Sequence, residues 1–128
     1  MRPLLCVLGG VMAIAGPARA ASSPNDEAML KLASASGCMT CHHIEPGAKG
    51  PDGLPPIGPA WRDVAVKYRN TTGAAEQLTR TVMSGSNPYA SHWKGKVSGL
   101  AMPPNAVAIK EADARALVDW ILTLDAKK

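Results

Sequence analysis

One short stretch, Cys38-Met39-Thr40-Cys41-His42, limits what this chain can fold into more than any other feature. Two cysteines three positions apart, followed at once by a histidine, form the pattern through which haem is attached by two thioether bonds. The histidine is then carried beneath the iron as a ligand. The sequence therefore predicts one covalently bound haem c, held by Cys38 and Cys41, with His42 as an axial ligand to its iron.

Two other uses of paired cysteines compete with haem attachment. A redox-active dithiol of the thioredoxin type needs a βαβ context, and no strand pattern precedes Cys38. A structural zinc ion needs four tetrahedral ligands, and His43 is poorly placed to bind the same ion as His42. The chain offers no further pair of Cys or His residues. Both uses are less well supported than haem attachment, and we expect His43 at the surface.

The first 20 residues have the features of a secretory signal peptide. A basic start is followed by an apolar run from Leu4 to Ala15, and Ala18-Arg19-Ala20 is typical of a cleavage site. The run is too short and too often interrupted by Gly and Pro for a membrane span, which needs about 20 mainly apolar residues. We therefore expect cleavage after Ala20, export to the periplasm without a stable membrane anchor, and a single domain over residues 21–128.

Composition bears on charge and on the core. Removal of Arg2 and Arg19 with the signal peptide leaves 12 basic and 10 acidic residues, a net charge of +2. No basic run alternates with aromatic residues, so nucleic-acid binding has little support. The chain has no Phe, 3 Trp and 2 Tyr. A large flat cofactor is therefore expected to supply part of the apolar interior of so small a domain.

The apolar spacing predicts an all-α domain, since no stretch alternates as a half-buried strand does. Four helices are expected, from about Ser23 to Gly37, from Pro59 onward, over about 74–84 and over about 110–124. The segments 45–58 and 85–105 are expected as irregular loops. The positions expected to face inward are Met29, Leu32, Ala33, Ser36, Trp61, Val64, Ala65, Tyr68, Leu78, Thr81, Val82, Ala114, Leu117, Val118, Trp120 and Ile121.

Four methionines of the mature chain compete to be the second axial ligand. Met39 lies within the attachment turn, and Met29 and Met83 lie on predicted helices, where methionine more often fills core gaps. Met102 lies in the long loop directly before Pro103-Pro104, which stiffen the backbone next to the sulfur. Met102 is therefore the expected ligand, with an exposed loop methionine as the alternative.

Distinctive motifs are spread over nearly the whole mature sequence. They are Gly37-Cys38-Met39-Thr40-Cys41-His42, Ile57-Gly58-Pro59-Ala60-Trp61-Arg62-Asp63-Val64-Ala65, Ser84-Gly85-Ser86, Trp93, Ala101-Met102-Pro103-Pro104-Asn105, and Leu117 with Trp120 in the last helix. In these motifs the chain resembles the class I cytochromes c, small bacterial monohaem proteins. The resemblance implies an all-α class I cytochrome c fold, with about four helices wrapped around one haem. It also implies an electron carrier rather than an enzyme, with an iron that cycles between the ferric and ferrous states while bound to His42 and Met102.

The same resemblance implies roles for three further residues near the haem. The Pro59 carbonyl would accept a hydrogen bond from His42, Trp93 would donate one to a haem propionate, and Asn105 would steady the methionine loop. The sequence departs from the family in a longer loop over 45–56 and in the segment 94–101, which separates Trp93 from Met102 by more residues than usual. Both departures are expected to reshape the surface that meets a partner.

The resemblance also implies transient partners. We expect a monomer that docks briefly on periplasmic redox proteins of a respiratory chain, the donor and the acceptor of its electron. Lys49, Lys94 and Lys96 are expected around the exposed haem edge, where they would steer these partners. Two alternatives remain open at this point: a dedicated haem subunit of a periplasmic dehydrogenase, and a peroxidase or other haem protein that binds a small ligand at the iron.

Overall fold

The computed structural model describes residues 24–125, and four α-helices account for the regular structure in that range. The predicted all-α class is confirmed, since residues 24–125 contain no β-strand and the one β-bridge among them joins Lys94 and Val97. The predicted signal peptide, residues 1–20, and the predicted start of the first helix at Ser23 lie outside the described residues. No helix described here is long and apolar enough to cross a membrane. The helices are α1 (Pro24–Ala35), α2 (Trp61–Tyr68), α3 (Ala74–Ser84) and α4 (Glu111–Thr123), and short 3-10 turns lie at Cys38–Thr40 and Pro51–Gly53.

Helix α2 begins two residues later than the sequence predicts. Ala60 is extended, with φ −61° and ψ 140°, and caps the helix without a side-chain hydrogen bond. The backbone N–H of Trp61 donates to the His43 carbonyl at 2.8 Å, and that of Arg62 donates to the Ile44 carbonyl at 3.2 Å. Because these carbonyls satisfy the first free donors of the helix, tertiary contacts rather than the position of Pro59 set its start.

The core forms where α4 packs against each of the other three helices. The inward positions predicted for α4 are confirmed, and in α3 Leu78 and Val82 are half-buried and pack against this core. Ala74 and Thr79 are buried in α3 although the sequence pattern did not single them out. The buried core cluster consists of Ala33, Trp61, Val64, Ile109, Ala114, Leu117, Trp120 and Ile121.

The end of α4 is tied to α1 and α2 by side-chain hydrogen bonds. The Trp120 indole Nε1–H donates to Asp26 Oδ1 at 2.8 Å, across 94 residues of chain. Arg62 of α2 donates to the carbonyl of Asp125, and Arg69, which follows α2, donates to the carbonyl of Leu124. Arg69 thus satisfies a carbonyl that the end of α4 leaves without an intrahelical partner, and Arg62 holds the residue that follows.

Residues 56–57 and 98–99 pair to form what we call the strap. The Ser98 N–H donates to the Pro56 carbonyl at 2.9 Å, and the Gly99 N–H donates to the Ile57 carbonyl at 3.0 Å. A Cβ atom at Gly99 would lie 2.5 Å from the Ile57 carbonyl oxygen, so glycine permits the close approach. The strap joins the loop over 45–58 to the loop over 85–105.

Candidate functional site

An apolar cleft of about 880 Å³, including space open to solvent, lies between α2, α3, α4 and the two long loops. Five of the seven predicted site residues line the cleft: Cys41, His42, Pro59, Trp93 and Met102. Cys38 packs instead against the neighbouring core, and Asn105 forms hydrogen bonds to Val82 and Pro103.

The attachment motif forms a tight turn at the end of α1. Gly37 starts the turn with φ 75°, a left-handed conformation that favours glycine. The Cys41 and His42 N–H groups both donate to the Cys38 carbonyl, at 3.3 and 3.1 Å. Both thiols are free, and burial raises the pKa of the Cys38 thiol, opposed by a backbone hydrogen bond and reinforced by Cys41. Cys41 lines the cleft, and Cys38 lies one turn before it in the chain.

The His42 ring is fixed on two sides. Its Nδ1 lies 2.8 Å from the Pro59 carbonyl oxygen, which is the hydrogen bond that the resemblance implies. The Trp61 ring stacks on it, with centroids 5.9 Å apart and planes inclined by 25°. Burial lowers the pKa of His42, the Pro59 hydrogen bond opposes this, and His43 lowers it further. Because the neutral ring donates through Nδ1, its lone pair is on Nε2, the atom that can bind a metal ion.

Gly58 allows the Pro59 segment to approach His42. A Cβ atom at Gly58 would lie 2.8 Å from His42 Cε1 and 3.0 Å from Nδ1. The Gly58 N–H also donates to the Cys41 carbonyl at 2.8 Å. Gly58 thus holds the histidine side of the cleft together, a role that sequence reasoning missed although this residue stands within one of the quoted motifs.

Met102 is held on the other side by its backbone. The Met102 N–H donates to Ser86 Oγ at 2.8 Å, and the Ser86 N–H donates to the Met102 carbonyl at 2.9 Å. Three residues later, Asn105 donates to the Val82 carbonyl through its backbone N–H at 3.0 Å and through Nδ2 at 3.3 Å. Asn105 Nδ2 also donates to the Pro103 carbonyl at 2.6 Å. The methionine loop, residues 101–105, is therefore joined to α3 through Val82 and to the segment after α3 through Ser86. Sequence reasoning assigned no role to Ser86.

Trp93 lies half-buried at the cleft, beside two basic side chains. The His92 ring meets it edge-on with centroids 4.8 Å apart, and Lys96 Nζ lies 5.7 Å from its centroid. Lys96 Nζ also lies 3.2 Å from His92 Nε2. Partial desolvation lowers the pKa of His92, and the charges of Lys96 and Lys67 lower it further. The loop thus presents positive charge next to the cleft.

These residues fit a haem group. An apolar cleft, two free thiols in one turn, a neutral imidazole with a lone pair on Nε2 and a thioether from a distant segment form the donor set of a c-type haem. Gly58 and Gly99 remove side chains from places where the backbone closes around the cleft.

Comparison with known proteins decides the family. The family model described as Cytochrome c matches residues 30–125. The chain belongs to the cytochrome c family. It is a class I monohaem c-type cytochrome with one covalently bound haem c, and Cys38 and Cys41 fit the attachment motif. The predicted family, fold and cofactor are therefore confirmed.

Individual relatives agree with this assignment. Cytochrome c-551 of Allochromatium vinosum is 41% identical over 102 residues, covering 80% of this chain and 92% of the relative. Cytochrome c-552 of Nitrosomonas europaea is 37% identical over 98 residues, covering 77% and 80%. The crystal structure of wild-type Nitrosomonas europaea cytochrome c552 matches with a TM-score of 0.56 at 37% identity, covering 73% of this chain and 96% of that one. The class 1 cytochrome MtoD from Sideroxydans lithotrophicus ES-1 matches with a TM-score of 0.50 at 28% identity, covering 77% and 94%.

Proposed function

We propose that this cytochrome c is a one-electron carrier with His42 and Met102 as axial ligands, and that it serves periplasmic redox proteins of a respiratory chain. When bound, haem c supplies the chemistry, since its iron accepts and donates one electron. The observation that carries the proposal is that His42 and Met102, from distant segments, line one apolar cleft. Each is held by its own hydrogen bonds, as a carrier that keeps both ligands requires.

Different residues of the chain attach the haem and tune the reduction potential of its iron. Cys38 and Cys41 bind the ring covalently, and Pro59 orients His42 through its Nδ1–H. The thioether of Met102 and the apolar lining both favour the less positive ferrous state, so they raise the reduction potential. Asn105 fastens the methionine loop to α3. The family resemblance assigns Trp93, which lies half-buried at the cleft, to a hydrogen bond with a haem propionate.

The first test is the optical spectrum of the mature holoprotein with Met102→Ala and Met83→Ala beside it. Met83 is the matched control because it is a half-buried methionine of α3 that packs on the core and does not line the cleft. We expect a low-spin ferric spectrum with the weak far-red sulfur-to-iron band in the wild type and in Met83→Ala. Met102→Ala is expected to lose the band and to bind carbon monoxide when reduced.

The opposite pattern would identify a different function. A wild-type protein that binds carbon monoxide readily and lacks the far-red band has an open iron position. The proposed carrier would then be wrong, and the small-ligand haem protein or peroxidase would take its place.

Partner docking is proposed to depend on the lysines near the cleft, and Lys94 offers a clean test. Lys94 is exposed next to Trp93, and Lys31 on α1 is an exposed lysine that gives the same change of net charge. We expect Lys94→Glu to slow oxidation by anionic hexacyanoferrate(III) several-fold at low ionic strength, with the difference fading as salt is added. The decrease in rate should be smaller for Lys31→Glu. With the cationic oxidant tris(phenanthroline)cobalt(III), Lys94→Glu should be oxidised faster than the wild type. Stopped-flow rates that are equal for the two variants would contradict a role for Lys94.

The monomeric state belongs to the same proposal. Size-exclusion chromatography with light scattering of the holoprotein is expected to give the mass of one chain. A stable complex with a dehydrogenase purified from the same periplasm would favour the dedicated-subunit alternative.

A further inference from the structure

We propose that Ser86 is a positioning residue that fixes the orientation of the Met102 side chain. This inference rests on the proposed function, since it concerns the methionine assigned there as a ligand. Ser86 lies in the loop that follows α3, 16 residues before Met102. Its hydrogen bonds to Met102 are made with the backbone N–H and carbonyl of that residue.

Ser86 satisfies both backbone groups of Met102. Its N–H donates to the Met102 carbonyl at 2.9 Å, and its Oγ accepts from the Met102 N–H at 2.8 Å. The Ser86 hydroxyl thus forms the second hydrogen bond of a pair. Between neighbouring β-strands, backbone atoms alone would form both. Because the two bonds lie on either side of the Met102 Cα, they fix the direction of the Cα–Cβ bond.

That direction matters more for methionine than for most residues. Its side chain is unbranched and has three rotatable bonds, so the sulfur has little intrinsic preference for one position. A fixed Met102 backbone is therefore needed to hold the weak thioether ligand in one orientation. The hydroxyl of Ser86 is the group that holds the Met102 N–H.

The surrounding contacts leave little freedom for another arrangement. Gly85 has φ 84°, and a Cβ atom there would lie 3.0 Å from the Met102 carbonyl oxygen and 3.1 Å from Pro104 Cδ. The segments 85–86 and 102–104 are thus in direct contact. Asn105 fastens the loop beyond the methionine, whereas Ser86 acts on Met102 itself. The two residues therefore have separable effects.

Ser86→Ala isolates the effect of the hydroxyl. It keeps the bond from the residue 86 N–H to the Met102 carbonyl, and it leaves the half-buried Met102 N–H without its acceptor. Ser86→Thr restores a hydroxyl. Asn87→Ala is the matched control, because Asn87 Oδ1 accepts the Tyr89 N–H at 2.8 Å in the same loop, whereas Asn87 is exposed and does not line the cleft.

The experiment compares the three variants with the wild-type holoprotein, all in the ferric state. The readouts are the far-red band, the paramagnetically shifted proton resonances of the Met102 methyl and haem methyl groups, and the rate of cyanide binding. For Ser86→Ala we expect a weakened band, shifted or exchange-broadened methyl resonances, and cyanide binding that is several-fold faster. Ser86→Thr should recover the wild-type values, and Asn87→Ala should retain them.

The outcomes distinguish this inference from the proposed function. A wild-type protein without the far-red band contradicts Met102 ligation itself. A wild type with the band, together with Ser86→Ala resonances and cyanide rates that equal those of the wild type, overturns the role of Ser86 alone. A lower melting temperature of Ser86→Ala with unchanged spectra also overturns it, because Ser86 would then stabilise the loop without orienting the ligand.

Discussion

Trp61→Ala is expected to lower the free energy of unfolding of the holoprotein by about 3–5 kcal/mol, the usual cost of truncating a buried tryptophan. Trp61 is 3% exposed. Its ring stacks on His42 and meets Trp120 edge-on, with centroids 5.8 Å apart and planes inclined by 86°. The substitution therefore removes the packing between the histidine side of the cleft and α4. Guanidinium chloride denaturation followed by far-ultraviolet circular dichroism measures the loss.

Tyr89→Ala is the control for Trp61→Ala, because Tyr89 is 87% exposed. Substitutions at such positions usually change stability by no more than about 0.5 kcal/mol. Trp61→Phe, which keeps an aromatic ring, should fall between the two. If Trp61→Ala cost no more than Tyr89→Ala, the packing of Trp61 would not hold the cleft together.

Gly58→Ala is expected to disturb His42 as well as the fold. The added Cβ would lie 2.8 Å from His42 Cε1, so either the ring or the Pro59 segment must move. Overpacking of this kind costs about 1–3 kcal/mol. Loss of the hydrogen bond from Nδ1 to Pro59 makes the imidazole a weaker donor, which favours ferrous iron. We therefore expect a higher reduction potential, measured by redox titration, together with a lower free energy of unfolding.

Gly50→Ala serves as the control for the potential. Gly50 has φ −70° and lies in the 45–58 loop, where an added Cβ would contact Leu54 and Pro55 rather than His42. Its potential should equal that of the wild type. A Gly58→Ala protein that kept the wild-type potential would mean that the hydrogen bond to Pro59 survives the added methyl group.

Periodic features of the sequence were the easiest to predict. The bounds of α3 and the inward face of α4 follow from apolar spacing, which is local information. The start of α2 was wrong because carbonyls of His43 and Ile44, distant from the helix in the chain, satisfy its first donors. Local spacing contains no signal for such contacts.

Some residues of the candidate site could be predicted from the sequence, and others could not. The attachment cysteines, His42 and Met102 are recognisable because their chemistry restricts the residue types. Ser86 and Gly58 are not, since a serine acceptor or a missing Cβ has a role only once two distant segments meet. The strap is of this kind too, because it pairs residues 42 positions apart in the chain.

The hydrogen bond between Trp120 and Asp26 joins the last helix to the first. A chain that is synthesised from its N-terminus therefore makes the attachment motif long before it makes the residues that close the core. Until α4 is present, the other three helices lack the element against which each of them packs. The core is therefore completed by the last part of the chain to be made, and the first helix gains its hydrogen bond to Trp120 only then.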